Sequence, residues 1–429
     1  MKRSIEAAVE VRCSGAGGEG REQHGLNSSS VIEDEGNIEV HAPGLPVVAI
    51  IGDGQLARMT QTAAIELGQS VRLLAGSKNS SAAQVCADVV VGDYHDYDDL
   101  LAAVKGADAV TFDHEHVPNE HLLALIDAGY NVNPRPAALI NAQDKLVQRE
   151  RLSELGAPVP RFVGIDKLED AEAFWDETGG QVCLKTRRGG YDGKGVWFPQ
   201  SREELCRLVE EIDSPLLAEE KIDFARELSA LVARTPSGET RAWDITQSVQ
   251  ADGICSEAIA PAPGLDAETA REVEALGCSV AEKLEVTGVL AVELFEDKAG
   301  DIFVNELAMR PHNTGHWTQD GAVTSQFEQH VRAVLDWPLG DTTRTVPVTV
   351  MANVLGAETD PDMEMQDRMV HVARRFPNAK MHLYGKTHRP GRKIGHVNLT
   401  GNDADATRRD ARLAAGFLRD AVWADGYAE

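Results

Sequence analysis

The sequence is poor in cysteine: six occur in 429 residues, and none stands in a C-x-x-C pair or at a regular spacing. This scatter argues against a disulfide framework or a cysteine zinc site and is typical of a reducing compartment, so we expect a cytoplasmic location. No apolar run approaches the about 18 residues of a membrane span, and the N-terminus lacks the apolar core of a secretion signal. We therefore expect no membrane association.

Positively charged residues are also scarce: the chain has 42 Lys and Arg against 69 Asp and Glu, which gives a net charge of −27. A chain this acidic repels polyanions in general, so we expect no nucleic-acid partner. Any phosphate-bearing ligand must therefore be held by local clusters of basic residues.

The length and the pattern of apolar runs predict several domains. Residues 1–44 are rich in Gly, Ser and Glu without periodicity, which predicts a disordered leader. Residues 45–140 alternate short apolar strands with helices, which is typical of an α/β domain with a parallel sheet. A linker helix and a small α+β unit are expected within residues 141–240, and a further domain of strands and helices within residues 241–429.

A glycine turn, Gly52-Asp53-Gly54-Gln55-Leu56-Ala57, follows the first strand and matches G-x-G-x-x-A. A dinucleotide site needs an acid at the end of the second strand, and Leu74–Ser77 contains none. We therefore disfavour a dinucleotide-binding oxidoreductase. The turn can still offer backbone N–H groups to a phosphate, although a tight turn with no ligand remains the alternative.

Two apolar runs, Gly288–Phe295 and Ile302–Glu306, are joined by a turn-forming segment and predict a hairpin with an acid in each strand. Glu293 and Glu306, with Asn305 beside them, offer the oxygen ligands that Mg²⁺ prefers, and Mn²⁺ would fit the same set. Two surface acids on a sheet edge are the alternative, which the apolar flanks disfavour.

Glycine and basic residues are concentrated in Lys185–Gly195, which lacks the P-loop pattern G-x-x-x-x-G-K-[ST]. The glycines allow close backbone approach to phosphate, so we interpret the segment as a flap over a nucleotide, with a merely flexible loop as the alternative. Leu217–Ile222 and Glu227 could hold an adenine edge and a ribose, but this signal is weak.

Polar groups crowd the segment Asn305–Thr318, which follows the apolar run Ile302–Val304. A buried polar group without a partner costs about 1–3 kcal/mol, so this density predicts a ligand site. His114, His116 and His121 could instead bind zinc around Glu115. No cysteine or further acid completes that set, and we disfavour it.

These motifs, together with Arg389–His396, resemble the ATP-grasp enzymes and, within them, the 5-(carboxyamino)imidazole ribonucleotide synthase family, from about Pro46 to about Trp423. The resemblance implies a mixed α/β and α+β, three-domain ATP-grasp fold: an N-terminal parallel-sheet pre-ATP-grasp domain, a small lid domain and a C-terminal ATP-grasp domain. It implies a homodimer that binds ATP between the second and third domains. ATP would phosphorylate bicarbonate to carboxyphosphate, which carboxylates 5-aminoimidazole ribonucleotide (AIR) in purine biosynthesis.

The resemblance also implies site residues. Magnesium would be bound by Glu293 and Glu306. ATP would be contacted by Lys145, Lys185, Gly189, Gly190, Tyr191, Asp192, Gly193, Lys194, Gly195, Glu219, Glu220, Lys221, Ile222, Glu227, Gln250, Asn305 and Glu306. Lysine at 145 and glutamine at 250 depart from the family, which often has arginine and histidine there.

Bicarbonate needs a compact cradle of cations and amides, which Arg310, His312 and Asn313 can supply one turn past the metal acid. Lys386 and Arg392 would close the cradle and reach the AIR phosphate. Further AIR contacts are expected at Gly54, Gln55, Leu56, Glu115, Tyr191 and Lys194, with Asp192 as the proton acceptor from the AIR amine. The alternatives left open are another ATP-grasp ligase, such as a formate-dependent glycinamide ribonucleotide transformylase or a bicarbonate-using carboxylase, and a non-catalytic nucleotide sensor.

Overall fold

The computed structural model describes residues 40–190, 194–251 and 253–428. All of the predicted leader except residues 40–44 lies outside the described residues, as do Tyr191, Asp192 and Gly193 of the predicted flap. Within the described ranges, no helix is both long and apolar enough to cross a membrane.

The first domain is a four-stranded parallel sheet in the order β3-β2-β1-β4, built from the short apolar runs of the sequence. Its elements are β1 (Val48–Ile51), α1 (Gln55–Glu66), β2 (Val71–Ala75), β3 (Asp88–Val91), α2 (Tyr97–Val104), β4 (Ala109–Phe112), α3 (Asn119–Asp127) and α4 (Pro136–Gln143). Parallel strands end at the same edge, so the glycine turn after β1 lies beside the residues that follow β4.

The second domain begins after α5 (Lys145–Glu154), whose N-cap Asp144 accepts hydrogen bonds from Leu146 N and Val147 N. It is an antiparallel sheet in the order β5-β8-β6-β7, with two helices. Its elements are β5 (Phe162–Ile165), α6 (Leu168–Thr178), β6 (Val182–Thr186), β7 (Val196–Trp197), α7 (Arg202–Glu211) and β8 (Leu216–Glu220). The helices bury apolar residues such as Phe174 and Leu205 against this sheet. This is the small lid domain that the resemblance implies.

The rest of the described chain forms a nine-stranded antiparallel sheet, in the order β14-β13-β9-β11-β12-β15-β17-β16 with β10 paired to β9. Its strands are β9 (Phe224–Arg234), β10 (Thr240–Ala242), β11 (Thr246–Ala251), β12 (Ile254–Ala260), β13 (Gly288–Asp297), β14 (Ile302–Ala308), β15 (Val348–Leu355), β16 (Lys380–Leu383) and β17 (Lys393–Gly401). Its helices are α8 (Ala267–Lys283), α9 (Thr318–Gly321), α10 (Gln326–Val334), α11 (Met365–Arg375) and α12 (Ala404–Asp420), with a 3₁₀ turn at Asn313–Gly315.

One expected boundary falls in a different place. The sequence predicts that residues 221–240 belong to the lid, but β9 lies between β13 and β11, inside the third sheet. Its middle residues, Leu228–Ala233, are buried, which an exposed connection out of the lid would not require. The lid sheet itself ends with β8, at Glu220.

The predicted acid hairpin is present as β13 and β14. Glu293 pairs directly opposite Glu306, and a β-bulge follows between Glu293 and Leu294. Residues directly opposite on antiparallel strands bring their side chains close together on one face. The fold therefore places the two predicted metal acids side by side.

Candidate active site

A cleft of about 1360 Å³ is lined by strands of the third sheet and by loops and helices of the first two domains. The predicted site residues in its wall are Gln55, Leu56, Glu115, Lys145, Gly189, Gly190, Lys194, Glu293, Glu306, Arg310, His312, Asn313, Lys386 and Arg392. The other described candidates lie outside this wall: Gly54, Lys185, Gly195, Glu219, Glu220, Lys221, Ile222, Glu227, Gln250 and Asn305. The structure therefore brings together the residues predicted for the metal and bicarbonate and, except for Gly54, the described residues predicted for AIR.

Each of the two acids is paired with a basic side chain. Lys145 Nζ lies 2.5 Å from Glu306 Oε1, and His312 Nε2 lies 3.2 Å from Glu293 Oε1. The Thr314 hydroxyl, 2.9 Å from His312 Nδ1, holds the ring so that Nε2 faces the acid. Burial by itself raises the pKa of Glu293, but His312 outweighs it and the pKa is lowered. Glu293 is therefore ionised at neutral pH.

The acid pair fits Mg²⁺ only together with a ligand that supplies further oxygens. Among the described residues, no group of three or more His, Cys, Asp and Glu side chains could hold a metal. Mg²⁺ commonly takes one or two carboxylates and completes its octahedral shell with phosphates and water. Glu293 and Glu306 supply such a pair of carboxylates in the cleft wall.

Beside the acid pair lies a buried charge network that includes a residue the sequence analysis missed. Glu219 is 2% exposed and accepts from Lys185 Nζ at 2.7 Å and Arg149 Nε at 2.8 Å. Arg149 also donates to the Asn305 carbonyl oxygen at 2.5 Å, and Lys185 Nζ lies 3.4 Å from Asn305 Oδ1. Arg149 lies four residues after Lys145 on α5. This spacing puts both side chains on one face of the helix and is the sequence signal that could have identified Arg149.

The segment predicted to bind adenine and ribose forms the connection between the lid and the third sheet. Lys221 and Ile222 join β8 to β9, and Glu220 pairs with Arg161 at 2.9 Å. Glu227 lies on β9, next to β11, which carries Gln250. Burial, and then repulsion from Glu293, raise the pKa of Glu227 to about 7.

The predicted flap is attached to the start of α5. Arg187 and Arg188 pair with Asp144 at 2.9 and 3.2 Å. Gly189 and Gly195 have φ values of +77° and +72°, which favour glycine. Lys194 lines the cleft, so the described end of the flap reaches the site.

The far side of the cleft holds the residues predicted for AIR. Arg310 Nε donates to Glu115 Oε2 at 2.9 Å, and Lys386 Nζ donates to Gln55 Oε1. Burial, and then repulsion from Arg392, lower the pKa of Lys386 to about 8. Glu115, a candidate contact of AIR, is thus also the ion-pair partner of the bicarbonate candidate Arg310.

A second cavity of about 670 Å³ is lined by the glycine turn and adjoins the cleft at Gln55, Leu56, Asp113 and His114. Its described lining, which includes Gly52, Gly54, Tyr94 and Asp113, contains no Lys or Arg. The lining also contains Asp53, Asp93 and Asp113, and these carboxylates disfavour the phosphates of a dinucleotide. The Gly54 N–H donates at 2.6 Å to Asp113 Oδ2, a carboxylate that the sequence analysis did not single out.

The histidines of the disfavoured zinc site have other neighbours. The rings of His114 and His116 stack with centroids 5.4 Å apart, and His121 Nε2 lies 2.9 Å from the His95 carbonyl oxygen. Burial lowers the pKa of His114 to about 4. In the Asn305–Thr318 segment, Trp317 is buried and donates to Thr246 Oγ1 at 2.9 Å.

Family models match three stretches of the chain. The ribonucleotide synthetase preATP-grasp domain matches residues 45–143, the ATP-grasp domain matches residues 150–327, and the phosphoribosylaminoimidazole carboxylase C-terminal domain matches residues 349–410.

Named relatives match nearly the whole of the described chain. The N5-carboxyaminoimidazole ribonucleotide synthase of Corynebacterium ammoniagenes is 66% identical over 400 residues, which cover 92% of this chain and 97% of that protein. The solved synthetase from Thermus thermophilus is 35% identical with a TM-score of 0.78, covering 87% of this chain and 99% of that one. The Aspergillus clavatus synthase, solved with ADP and 5-aminoimidazole ribonucleotide, is 28% identical with a TM-score of 0.79 and covers 88% and 99%. The chain belongs to the N5-carboxyaminoimidazole ribonucleotide synthase family of ATP-grasp ligases.

Proposed function

We propose that this cleft carries out the ATP-dependent carboxylation of AIR by bicarbonate, with carboxyphosphate as the intermediate and ADP and phosphate as products. The observation that carries the proposal is the meeting of two sets of residues in one cleft. The acid pair Glu293 and Glu306 lies on one wall, and the cationic AIR candidates Lys386 and Arg392 on another. The Aspergillus clavatus relative, solved with ADP and AIR, supports the same pair of ligands.

For the nucleotide, Lys145 and Lys185 are the proposed phosphate contacts. Both lysines already face the acid hairpin, through Glu306 and Asn305. The flap residues Gly189–Gly195 are proposed to cover the phosphates, and Glu227, with the β8–β9 connection, to hold the ribose and adenine. Mg²⁺, or Mn²⁺, bound by Glu293 and Glu306 would neutralise the charge that develops on the transferred phosphoryl group.

For bicarbonate, the cradle of Arg310, His312 and Asn313 is the proposed site. Among the described residues, the Asn313 side-chain nitrogen is buried and has no hydrogen-bond partner, although Asn313 lines the cleft. Buried donors are normally paired, so this amide suits an anionic oxygen of the substrate. Arg310 supplies positive charge in the same cleft wall and His312 a ring nitrogen, and the bicarbonate oxygen can then attack the γ-phosphorus of ATP.

In the second step, carboxyphosphate breaks down to phosphate and carbon dioxide, which the AIR amine captures. Asp192 is the proposed acceptor of the amine proton and lies in the flap, outside the described residues. Lys386 and Arg392 are the proposed contacts of the AIR phosphate, and Glu115, Gly54, Gln55 and Leu56 are proposed to surround its ribose and base. Holding both acceptors in one cleft keeps the short-lived intermediate away from water.

The test is phosphate release from ATP, measured with AIR and bicarbonate present together and with each omitted. We expect release to require both. Stimulation by another amine in place of AIR would overturn the substrate assignment. Activity with formate in place of bicarbonate would instead favour a formate-dependent transformylase.

We also propose that the protein is a cytoplasmic homodimer. The resemblance to the family supports the dimer, and the five described cysteines, all free, fit a reducing compartment. Light scattering of the purified protein would test the dimer, because a single species of 46.4 kDa would contradict it.

A further inference from the structure

Asp113 is a partly buried carboxylate to which the mechanism above gives no role. It follows β4 directly, and its backbone N–H donates to the Ile51 carbonyl at the end of β1. Asp113 lines both the active-site cleft and the second cavity. Asp113 therefore stands in the wall between the cleft and the glycine turn.

The two glycines of the turn leave room for this carboxylate. Gly52 has a φ of +125°, and a Cβ there would overlap Asp113 Oδ1. A Cβ on Gly54 would lie 2.8 Å from Asp113 Oδ2, closer than real contacts allow. The Gly54 N–H donates to the same oxygen. The carboxylate thus accepts a backbone N–H that a turn of this kind can offer to a phosphate.

The turn also sets the position of an AIR candidate. Gln55 is the first residue of α1, directly after Gly54, and its side-chain oxygen accepts from Lys386 Nζ. Burial raises the pKa of Asp113 to about 6, and the Gly54 N–H, followed by Arg310 and Lys386, opposes that rise, so the group is ionised at neutral pH. A carboxylate at the turn repels a phosphate there and attracts the cations opposite.

We propose that Asp113 is a positioning residue that orients AIR: it occupies the anion position of the glycine turn and so directs the AIR phosphate to Lys386 and Arg392. This inference rests on the proposed function. By holding the turn, Asp113 also fixes Gln55 against Lys386. The residue acts through these neighbours and takes no part in proton or phosphoryl transfer.

The experiment compares Asp113→Asn with Asp108→Asn. Asp108 is a matched control, because its Oδ2 accepts the Val47 N–H at 2.8 Å near the opposite end of β1 and β4, and its side chain is exposed. Asp113→Asn should raise the KM for AIR about tenfold or more, the loss expected for a charge-assisted contact, while the KM for ATP stays within about twofold. Asp108→Asn should change neither constant.

The outcomes separate this inference from the proposed function. Wild-type ATP hydrolysis that is independent of AIR would overturn both. AIR-dependent wild-type activity with equal KM values for AIR in the two variants would overturn only the role of Asp113. An equal rise in both KM values for Asp113→Asn would indicate a structural role and also overturn it. If Asp113→Asn does not fold, Asp113→Ser, which keeps a hydroxyl acceptor for Gly54, takes the same measurement.

Discussion

At the scale of single residues, the cleft holds its acids in ion pairs supplied by other elements. Glu306 on β14 meets Lys145 of α5, and Glu293 on β13 meets His312 from the segment after β14. A carboxylate without a partner in this wall would lose hydration and gain no ion pair in return, which destabilises the fold. The pair with His312 lowers the pKa of Glu293 and keeps that acid ionised before any ligand binds.

Glu306→Gln should lower Mg-ATP turnover at least about 100-fold, because loss of a metal-binding carboxylate removes charge stabilisation in phosphoryl transfer. The fold should survive, since the Glu306 side chain is 40% exposed. The measurements are steady-state phosphate release and the thermal midpoint. Glu296→Gln is the control, because Glu296 lies on β13 and pairs with Arg226, outside the cleft wall. Near-normal turnover of Glu306→Gln would remove the metal role.

At the scale of elements, the flap joins β6 to β7, and its conformation requires glycine at positions 189 and 195 for different physical reasons. A Cβ on Gly195 would lie 2.5 Å from Thr186 Oγ1, whereas a Cβ on Gly189 would meet nothing within 4 Å. Both positions have a positive φ. Comparing alanine substitutions at Gly189 and Gly195 therefore separates the free-energy cost of the backbone conformation from that of the clash with Thr186.

Gly195→Ala should destabilise the protein by more than Gly189→Ala. Each substitution places alanine at a positive φ, at a cost of about 1 kcal/mol, and only Gly195→Ala also displaces Thr186. Urea denaturation of the two variants measures the difference. Equal urea midpoints for the two variants would show that the flap shifts to accommodate the added Cβ and that the contact with Thr186 does not affect stability.

At the scale of the whole molecule, the buried network around Glu219 joins three parts of the chain. Glu219 on β8 and Lys185 on β6 belong to the lid, Arg149 to the helix before it, and Asn305 to the acid hairpin. Burial by itself raises the pKa of Glu219, but Lys185 and Arg149 outweigh it and lower the pKa from its ordinary 4.5 to about 2.

The pH dependence of stability follows from that shift. A carboxylate with a lowered pKa in the folded state stabilises the fold above pH 4.5, and this contribution is lost as the pH falls from about 4.5 to about 2. Glu219→Gln should cost about 3–5 kcal/mol at neutral pH, because two buried cations lose their partner. Urea denaturation across that pH range should show a shallower acid dependence for Glu219→Gln than for the wild type. An unchanged slope would contradict this account.

Much of the fold could be predicted because its signals are local. Apolar runs with flanking glycines indicated β1, β4 and the hairpin of β13 and β14, and helical periodicity with a stop signal indicated α5. β9 was harder to place, because membership of a sheet depends on its partners β13 and β11 and not on its own residues. The glycine and basic residues of Lys185–Gly195 indicated the flap, and the resemblance then assigned the ligands that its residues would contact.

The sequence by itself determined the family, the parallel first domain and the acid pair of Glu293 and Glu306, because these are recorded in motifs and in residue alternation along short segments. Only the tertiary structure decided that Asp113 fills the glycine turn, that Arg149 holds Glu219, and that Gln55 meets Lys386. Those partners lie 59, 70 and 331 residues apart. Charges and hydrogen bonds act through distance in space, and that distance is fixed only when the three sheets pack together.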